Sequence, residues 1–228
     1  MPVKILVVDD DAAIRRLLRN TLDRASYTVV EAADAKSALH QSAAERPSAI
    51  LLDLGLPDRD GLSIIPLLRA QSDAAILVVS AREAVDEKVA ALDLGAEDFV
   101  TKPFDTDELL ARLRVALRHH DTPGASPKFI RRGDLTIDLD RRIVSRNELE
   151  MHLTRKERDV LEVLARHIGR IVTHEKLLAA CWGGDEEPRV EYLRIVIRNL
   201  RQKLEAPAPV GTVIANELGV GYRLRAEG

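Results

Sequence analysis

The feature that most constrains the fold is a regular alternation of short apolar runs and longer amphipathic segments over the first 120 residues. Several of the runs are apolar throughout, which is typical of strands covered on both faces of a parallel sheet. We therefore predict a five-stranded, doubly wound α/β domain with a parallel sheet. The predicted strands are residues 4–9, 27–32, 48–53, 74–80 and 98–101, and the predicted helices are 12–25, 34–46, 61–71, 84–94 and 106–119.

The pattern changes beyond this domain. The stretch HHDTPGASPK, residues 119–128, breaks all periodicity and collects Pro, Gly and Ser, which indicates an interdomain linker. An alternating segment then predicts a small antiparallel sheet, three amphipathic helices follow, and a closing hairpin is predicted around a Gly-rich turn. This is a winged-helix arrangement. The predicted domains are thus 1–119, a linker at 120–128, and a winged-helix domain at 129–228.

Local signals mark where several helices begin. Asp11 is the expected N-cap of the first helix, and Thr173 of a helix in the second domain. Thr154 with Glu157 three residues later predicts a capping box. Pro188 is predicted at the first helical position of the last helix.

Composition excludes several classes of protein. No apolar run reaches the roughly 18–20 residues of a membrane-spanning helix, and the acidic N-terminal segment does not resemble a signal peptide. The single cysteine, Cys181, cannot form an internal disulfide, and the six histidines show no metal-ligand spacing. We therefore expect a cytoplasmic protein. Residues 1–120 hold 15 Lys and Arg against 20 Asp and Glu, and the remainder holds 19 against 17, which indicates different partners for the two halves.

Polar side chains follow four of the predicted strands. Because ligands of open parallel sheets bind beyond the carboxyl ends of the strands, we expect these side chains to meet at one edge. Carboxylates packed together raise one another's pKa values, and Mg²⁺ with a phosphate relieves that repulsion. The sequence therefore predicts a magnesium site that handles a phosphoryl group. Its residues are Asp9 and Asp10 at the end of the first strand, Asp53 at the end of the third, Ser80 at the end of the fourth and Lys102 after the fifth.

The acidic residues have distinct predicted roles in phosphoryl transfer, where positioning and charge neutralisation do most of the catalysis. A carboxylate oxygen of Asp53 is the predicted nucleophile and would form an acyl phosphate. Asp10, Asp53 and the backbone carbonyl of Gly55 are the predicted direct ligands of Mg²⁺. Asp9 is expected to act through water.

Two further residues would contact the phosphoryl oxygens, Lys102 by neutralising charge and Ser80 by a hydrogen bond. Two alternatives stay open. A metal-dependent phosphohydrolase would turn over on Asp53, and a scaffold would use the fold for dimerisation without phosphorylation. Gly55 stands where such hydrolases usually carry a second acid, which weighs against the first, and the complete set of acid, Ser and Lys weighs against the second.

The segments ILVVDDD, LLDLGLPDRDG, VVSA and GAEDFVTKPF resemble the receiver domain of two-component response regulators over residues 1–120. The resemblance implies that a sensor histidine kinase phosphorylates Asp53 and that the Lys102–Pro103 peptide bond is cis. It also implies that Ser80 moves toward the new phosphoryl group while Phe99 turns inward.

The same resemblance implies a homodimer of phosphorylated chains. Similar transcriptional receivers dimerise through their fourth helix, fifth strand and fifth helix, with ion pairs between subunits. The matching positions here carry Lys88 with Glu108 and Asp98 with Arg112. Exposed ion pairs contribute about 0–1 kcal/mol each, so we expect them to set register more than affinity.

Two positions flank the path of the hydrolytic water in receivers, and here they carry Gly55 and Arg82. Gly55 has no side chain to orient a water molecule, and Arg82 cannot act as a base. We therefore predict slow self-dephosphorylation, so that shut-off depends on a kinase with phosphatase activity.

The helix predicted over 188–205 has an apolar face and a basic face. A cationic helix in a winged-helix domain suits the DNA major groove, where Arg pairs with guanine through two hydrogen bonds. Charge alone favours a solvated surface helix, and the winged-helix context favours DNA. The apolar positions are Val190, Leu193, Val196, Ile197, Leu200 and Leu204, and the predicted DNA contacts are Arg189, Arg194, Arg198, Asn199 and Arg201.

This helix, together with LTRKERDVLEVLARHIGRIVTHEKLLAACW and GVGYRL, resembles the output domain of the OmpR/PhoB family across residues 128–226. The resemblance implies tandem half-sites on double-stranded DNA, a wing at 213–224, and RNA polymerase as a further candidate partner. LDLGLPDRDGL and ELGVGYRL are most similar to the branch that controls potassium-uptake ATPase genes. Further DNA contacts are predicted for Arg170, Thr173, His174, Tyr222 and Arg223.

Overall fold

The structure is a computed structural model that describes residues 3–120, 129–183, 190–205 and 212–225. The chain divides into two compact units, Met1–Pro123 and Gly124–Gly228, and the domain boundaries stay predictions at the level of single residues. Within the described ranges, no helix has the length and apolarity needed to cross a membrane. Linker residues 121–128 and the predicted helix start at Pro188 lie outside these ranges.

The first unit is a five-stranded parallel sheet with the order β2-β1-β3-β4-β5, which confirms the doubly wound fold. Every predicted strand and helix of this unit is present, and each end lies within one residue of its prediction. The elements are β1 (Lys4–Val8), α1 (Ala12–Arg24), β2 (Thr28–Ala32), α2 (Ala35–Glu45), β3 (Ala49–Leu52), α3 (Gly61–Gln71), β4 (Ala75–Ser80), α4 (Val85–Asp93), β5 (Asp98–Thr101) and α5 (Thr106–His120).

Apolar side chains cover both faces of the sheet, because successive residues of a strand point to opposite sides. In β3, Ile50 and Leu52 pack into one cluster, whereas Ala49 and Leu51 pack into the other. All four are at most 1% exposed. Burial of both faces explains why this strand is apolar throughout rather than alternating.

Aspartates begin several helices around the sheet edge. Asp11 accepts a hydrogen bond from the Ala13 amide at 2.7 Å and caps α1 as predicted. Asp60 caps α3. The Asp58 carboxylate accepts two backbone N–H bonds at the start of α2, at 2.8 and 3.1 Å. The loop between β3 and α3 is therefore anchored to two helix N-termini.

The described residues of the second unit form two antiparallel sheets and three helices, which confirms the predicted winged-helix arrangement. One sheet has the order β6-β7-β8-β9 and the other the order β10-β12-β11. The elements are β6 (Phe129–Arg132), β7 (Leu135–Asp138), β8 (Ile143–Arg146), β9 (Leu149–Glu150), α6 (Arg155–Arg166), β10 (Ile171–Thr173), α7 (His174–Trp182), α8 (Val190–Leu204), β11 (Ile214–Glu217) and β12 (Gly221–Leu224).

Strand β10 was not expected from the sequence. It pairs antiparallel with β12, with Val172 opposite Tyr222 and Thr173 opposite Gly221. A Cβ atom at Gly221 would lie 2.0 Å from the carbonyl oxygen of Val172, so this pairing requires glycine. The third strand ties the predicted hairpin to the start of α7.

The predicted helix caps of this unit are confirmed. Thr154 and Glu157 form a capping box at α6, and Thr173 accepts from the Lys176 amide at the start of α7. Glu157 also accepts from the Lys203 ammonium at 2.7 Å. Burial opposes ionisation of Glu157, but the hydrogen bonds from Lys203 and Thr154 outweigh it and lower its pKa.

Candidate functional site

Three aspartates meet at the carboxyl edge of the parallel sheet, where β1 and β3 end side by side. Carboxylate oxygens of Asp9, Asp10 and Asp53 lie within 4.8 Å of one another. The Asp53 amide donates to the Val8 carbonyl at 2.8 Å, which continues the pairing of the two strands to the site. Asp9 is 1% exposed and Asp53 is 7% exposed, whereas Asp10 faces solvent.

The Lys102 ammonium bridges the two buried carboxylates. Its Nζ lies 2.7 Å from Asp9 Oδ2 and 2.6 Å from Asp53 Oδ2. Burial alone would lower the pKa of Lys102, but its hydrogen bonds to Asp53 and Asp9 outweigh this and raise that pKa. Lys102 therefore stays charged and compensates the cost of burying two acids next to each other.

The chemistry of this cluster fits Mg²⁺, because every ligand atom is a carboxylate oxygen. Burial raises the pKa of Asp9, and Lys102 offsets that effect only in part. A divalent cation at this edge would supply the missing compensation. The Gly55 amide donates to Asp53 Oδ1 at 3.2 Å, which fixes the turn that carries the predicted carbonyl ligand.

Gly61 holds the loop that follows Asp53, and sequence reasoning missed this residue. A Cβ atom at this position would lie 2.6 Å from both the Asp53 carbonyl oxygen and the Leu54 Cα. The Gly61 amide donates to the Leu54 carbonyl at 3.0 Å. A glycine at the junction of loop and helix was the available signal, since such positions often accept close backbone approach.

The two remaining site residues lie on the neighbouring strand ends. Ser80 ends β4 and is 1% exposed, and its Oγ accepts from the Arg82 amide at 3.3 Å. The Lys102 amide donates to the Ser80 carbonyl at 2.8 Å. The Lys102–Pro103 bond is cis, as the resemblance implied. The acid, hydroxyl and ammonium groups predicted from strand ends thus occupy adjacent strands.

Arg82 connects the loop after β3 to α4. Its guanidinium lies 3.2 Å from an Asp60 carboxylate oxygen and 3.0 Å from one of Glu87, and it donates to the Leu54 carbonyl at 3.3 Å. These bonds raise the pKa of Arg82 despite its partial burial. Sequence reasoning found Arg82 but not its acidic partners.

The four predicted dimer residues already interact within the chain. Arg112 lies 3.0 Å from Asp98 and 2.6 Å from Glu108, and these carboxylates raise its pKa. The Lys88 ammonium lies 5.5 Å from the centre of the Phe99 ring, and Phe99 is buried. Ion pairs between subunits, and movement of Ser80 and Phe99, therefore stay predictions.

The cations of α8 fall into two groups. Arg194 and Arg198 are exposed, and Asn199 is half-buried. Arg201 instead donates to the Ile214 carbonyl at 2.7 and 3.0 Å, and its guanidinium lies 5.9 Å from the Tyr222 ring centre. The side chain of Arg201 is thus engaged in holding α8 to the wing. Arg189 lies outside the described residues.

The other predicted DNA contacts are largely internal. Thr173 is 1%, Tyr222 5% and Arg223 8% exposed, and Arg223 bonds to Glu217 and to the Gly169 carbonyl. Their buried side chains stabilise the three-stranded sheet and the start of α7. Arg170 and His174 are half-buried and remain the accessible members of this group.

The His174 ring lies 5.3 Å from the Tyr222 ring in an edge-on arrangement. Burial lowers the pKa of His174, and the nearby charge of Arg194 lowers it further. Both effects favour the neutral form of the His174 ring, which links α7 to the wing.

A receiver fold with aspartates, a hydroxyl and a lysine at its strand ends, in one chain with a winged-helix unit, defines a DNA-binding response regulator. The family model described as response regulator receiver domain matches residues 5–114, and the model described as transcriptional regulatory protein, C terminal, matches residues 142–224. The chain belongs to the OmpR/PhoB family of two-component response regulators, which are transcription regulators rather than enzymes.

Several relatives are similar over nearly the full length. The chain is 42% identical to the KDP operon transcriptional regulatory protein KdpE of Escherichia coli, covering 96% of this chain and 97% of that protein. It is 41% identical to response regulator MprA of Mycolicibacterium vanbaalenii, covering 99% and 98%. The crystal structure of DrrB, an OmpR/PhoB homologue from Thermotoga maritima, matches with a TM-score of 0.52 at 28% identity and covers 99% of this chain and 100% of that one.

Proposed function

We propose that a sensor histidine kinase transfers a phosphoryl group to Asp53 and that this modification controls DNA binding by the second unit. The observation that carries the proposal is the Lys102 ammonium, held 2.6 Å from the Asp53 carboxylate. A bond forms between an Asp53 oxygen and phosphorus while the phosphorus–nitrogen bond of the kinase's phosphohistidine breaks. Lys102 neutralises charge on the phosphoryl oxygens.

Asp10, Asp53 and the Gly55 carbonyl are the proposed ligands of Mg²⁺, with Asp9 acting through water. The bound ion would supply charge neutralisation at the phosphoryl oxygens. Ser80, at the end of the adjacent strand, is proposed to donate its hydroxyl to one of these oxygens. Asp9 and Lys102 keep the nucleophile in a fixed position through their shared ion pair.

The phosphoryl group is proposed to be long-lived. Gly55 offers no side chain to orient water, and the Arg82 guanidinium is bound to Asp60 and Glu87, so neither acts as a general base. Shut-off then requires the kinase's phosphatase activity. A half-life of seconds for the isolated phosphorylated protein would contradict this.

Phosphorylation is proposed to produce a homodimer through the face formed by α4, β5 and α5, with Lys88 facing Glu108 and Asp98 facing Arg112 of the other subunit. Arg112 is bound to Asp98 and Glu108 within the chain, so these bonds are exchanged rather than newly made. Two output units on tandem half-sites then bind more tightly than one, through their effective concentration.

The proposed targets are potassium-transport genes, and the proposed kinase is a KdpD-like sensor. The support is the similarity to KdpE of Escherichia coli, in a chain expected to be cytoplasmic. The similarity to MprA is as high, so a regulon of the MprA type is the alternative. RNA polymerase is a proposed further partner at the promoter.

Phosphoryl transfer is tested by treating the full chain with a small phosphodonor and Mg²⁺. We expect Mg²⁺-dependent labelling of the wild type and none of the Asp53→Asn variant. Continuous phosphate release by the wild type would instead favour a phosphohydrolase. No labelling in Mg²⁺ would favour a scaffold.

DNA binding is tested by footprinting upstream of potassium-transport genes with both proteins after the same treatment. We expect stronger protection by the wild type over two tandem half-sites. Equal protection by Asp53→Asn would remove phosphorylation from the mechanism. Protection of other promoters alone would favour the MprA-type alternative.

A further inference from the structure

The surface of α8 presents its charge unevenly. Arg201 is bound to the Ile214 carbonyl and Lys203 to Glu157, so these two cations hold the helix in its domain. Arg194 and Arg198 are exposed, and neither has an ion-pair partner among the described residues. The positive charge available to a ligand therefore lies in the first nine residues of α8.

The same nine residues of α8 expose two large side chains with apolar surface. Tyr192 is 57% exposed and Ile195 is 56% exposed, while Leu193 and Ile197 on the opposite face are buried. Residues three or four positions apart are neighbours on a helix surface, so Ile195 lies beside Tyr192 and Arg198. A single exposed apolar residue is ordinary, but this one lies between Tyr192 and Arg198 on the outward face of a helix with exposed arginines.

These features together match the chemistry of the DNA major groove. Arginine pairs with guanine there, and the one apolar group that base edges display is the 5-methyl of thymine. A protein surface as partner would leave Arg194 and Arg198 near an apolar contact without the phosphates that suit them. The charge of the helix therefore favours DNA as the occupant of this apolar position.

We infer that Ile195 contacts the 5-methyl group of one thymine in each half-site and so determines specificity at that base pair. The inference rests on the proposed function, because it requires α8 to be the helix that reads DNA. The buried face of α8 and the bonds of Arg201 fix the rotation of the helix, which keeps Ile195 directed outward.

The test removes the methyl group and leaves every hydrogen-bonding group of the base in place. An operator is first selected from random duplexes with phosphodonor-treated full-length protein, and each thymine is then replaced singly by deoxyuridine. We expect the wild type to lose about fourfold in affinity at one position per half-site, the factor that corresponds to burial of one methyl group. Fluorescence anisotropy measures each affinity.

Protein variants then identify the side chain responsible. We expect Ile195→Ala to bind the thymine and deoxyuridine duplexes equally, and Ile195→Val to keep part of the difference. Leu149→Ala is the matched control, because Leu149 is an equally apolar side chain, 76% exposed, outside α8. It should keep the full fourfold difference.

The outcomes separate this inference from the proposed function. Sequence-specific binding without any dependence on a thymine methyl, or with a dependence that Ile195→Ala retains, would overturn the inference and leave the proposed function intact. Loss of the dependence in Tyr192→Ala but not in Ile195→Ala would also overturn it. Failure of the wild type to select any operator would overturn both.

Discussion

The receiver unit, Met1–Pro123, and the output unit, Gly124–Gly228, use positive charge in opposite ways. In the receiver unit, Lys102 lies between two buried carboxylates, and its charge is compensated before any partner arrives. In the output unit, Arg194 and Arg198 face solvent with no ion-pair partner in the described part of the chain. A paired internal cation fixes the geometry of a small site, whereas exposed cations are available to bind an external polyanion.

The comparison also applies within α8. Arg198 and Arg201 are three residues apart and of the same type, yet one is exposed and the other is bound to the Ile214 carbonyl. Residue type and helical spacing therefore do not separate a ligand contact from a structural contact. The difference arises from where the wing passes α8.

The largest expected effect is a loss of stability in the output unit that leaves phosphorylation of the receiver unit unchanged. A Cβ atom in Gly221→Ala would lie 2.0 Å from the Val172 carbonyl, so the pairing of β10 with β12 must break. We expect a loss of about 3 kcal/mol in the unfolding free energy of the output unit, and loss of DNA binding. Mg²⁺-dependent labelling of Asp53 should be retained.

Thermal unfolding of the full chain measures this loss, and phosphodonor labelling is the parallel assay. Gly133→Ala is the control, because no atom beyond its two chain neighbours lies within 4 Å of its added Cβ in the described part of the chain. Its φ of 57° predicts a strain of about 1–2 kcal/mol. Loss of labelling in Gly221→Ala would contradict the expectation that this change affects the output unit alone.

The second prediction removes the compensated charge of the receiver unit. Lys102→Met leaves the Asp9 and Asp53 carboxylates buried together, and we expect the unfolding free energy to fall by about 2–3 kcal/mol. This is below the 3–5 kcal/mol of fully buried pairs, because the Lys102 side chain remains 16% exposed. Mg²⁺ should restore part of the loss by binding the freed carboxylates.

Urea unfolding with and without Mg²⁺ measures both effects. Lys36→Met, an exposed position at the start of α2, should change neither stability nor its Mg²⁺ dependence. Equal stability of Lys102→Met and the wild type without Mg²⁺ would show that the ion pair compensates nothing.

The sequence predicted which receiver side chains lie close together but not which output side chains are buried, for a physical reason. Parallel strands end at one edge, so Asp53, Ser80 and Lys102 could be placed together from strand ends alone. The contacts of Tyr222 and Arg223 depend on β10, a three-residue strand that pairs about 50 positions along the chain. A strand so short has no reliable periodicity.

Close backbone approaches were the other feature that the sequence did not reveal. Gly61 and Gly221 are required because backbone atoms of Asp53 and Leu54, and of Val172 and Thr173, occupy the space of a side chain. The position of Gly61 at the start of a predicted helix permits such an approach but does not identify it, and Gly221 resembles an ordinary turn glycine. Capping residues such as Thr154 and Asp11 were predicted correctly, because their partners lie within three residues.

The third prediction compares the two arginines of α8 directly. Arg198→Ala should weaken specific DNA binding by about 1–3 kcal/mol and leave stability unchanged, since its side chain is exposed. Arg201→Ala should lower the unfolding free energy by about 1–2 kcal/mol, because it removes a charged donor from the Ile214 carbonyl. Anisotropy and urea unfolding of both variants give the two values. If both variants lost DNA affinity and unfolding free energy in the same proportion, Arg198 and Arg201 would not have the different roles expected here.

The smallest expected effect concerns His174, which lies between α7 and the wing. Its folded-state pKa lies below 6.5, because burial disfavours the charged ring and Arg194 adds repulsion. The unfolded chain thus binds a proton at higher pH than the folded chain, so stability is complete above about pH 6.5 and declines as pH falls through the lowered pKa. His174→Gln should flatten that decline in unfolding curves measured at several pH values.

Bound DNA should act in the opposite direction, because a phosphate near the ring would offset the charge of Arg194 and raise the pKa of His174. If the unfolding free energy of His174→Gln fell by the same amount at low pH, the decline would arise from other groups, such as the buried carboxylates of the receiver unit.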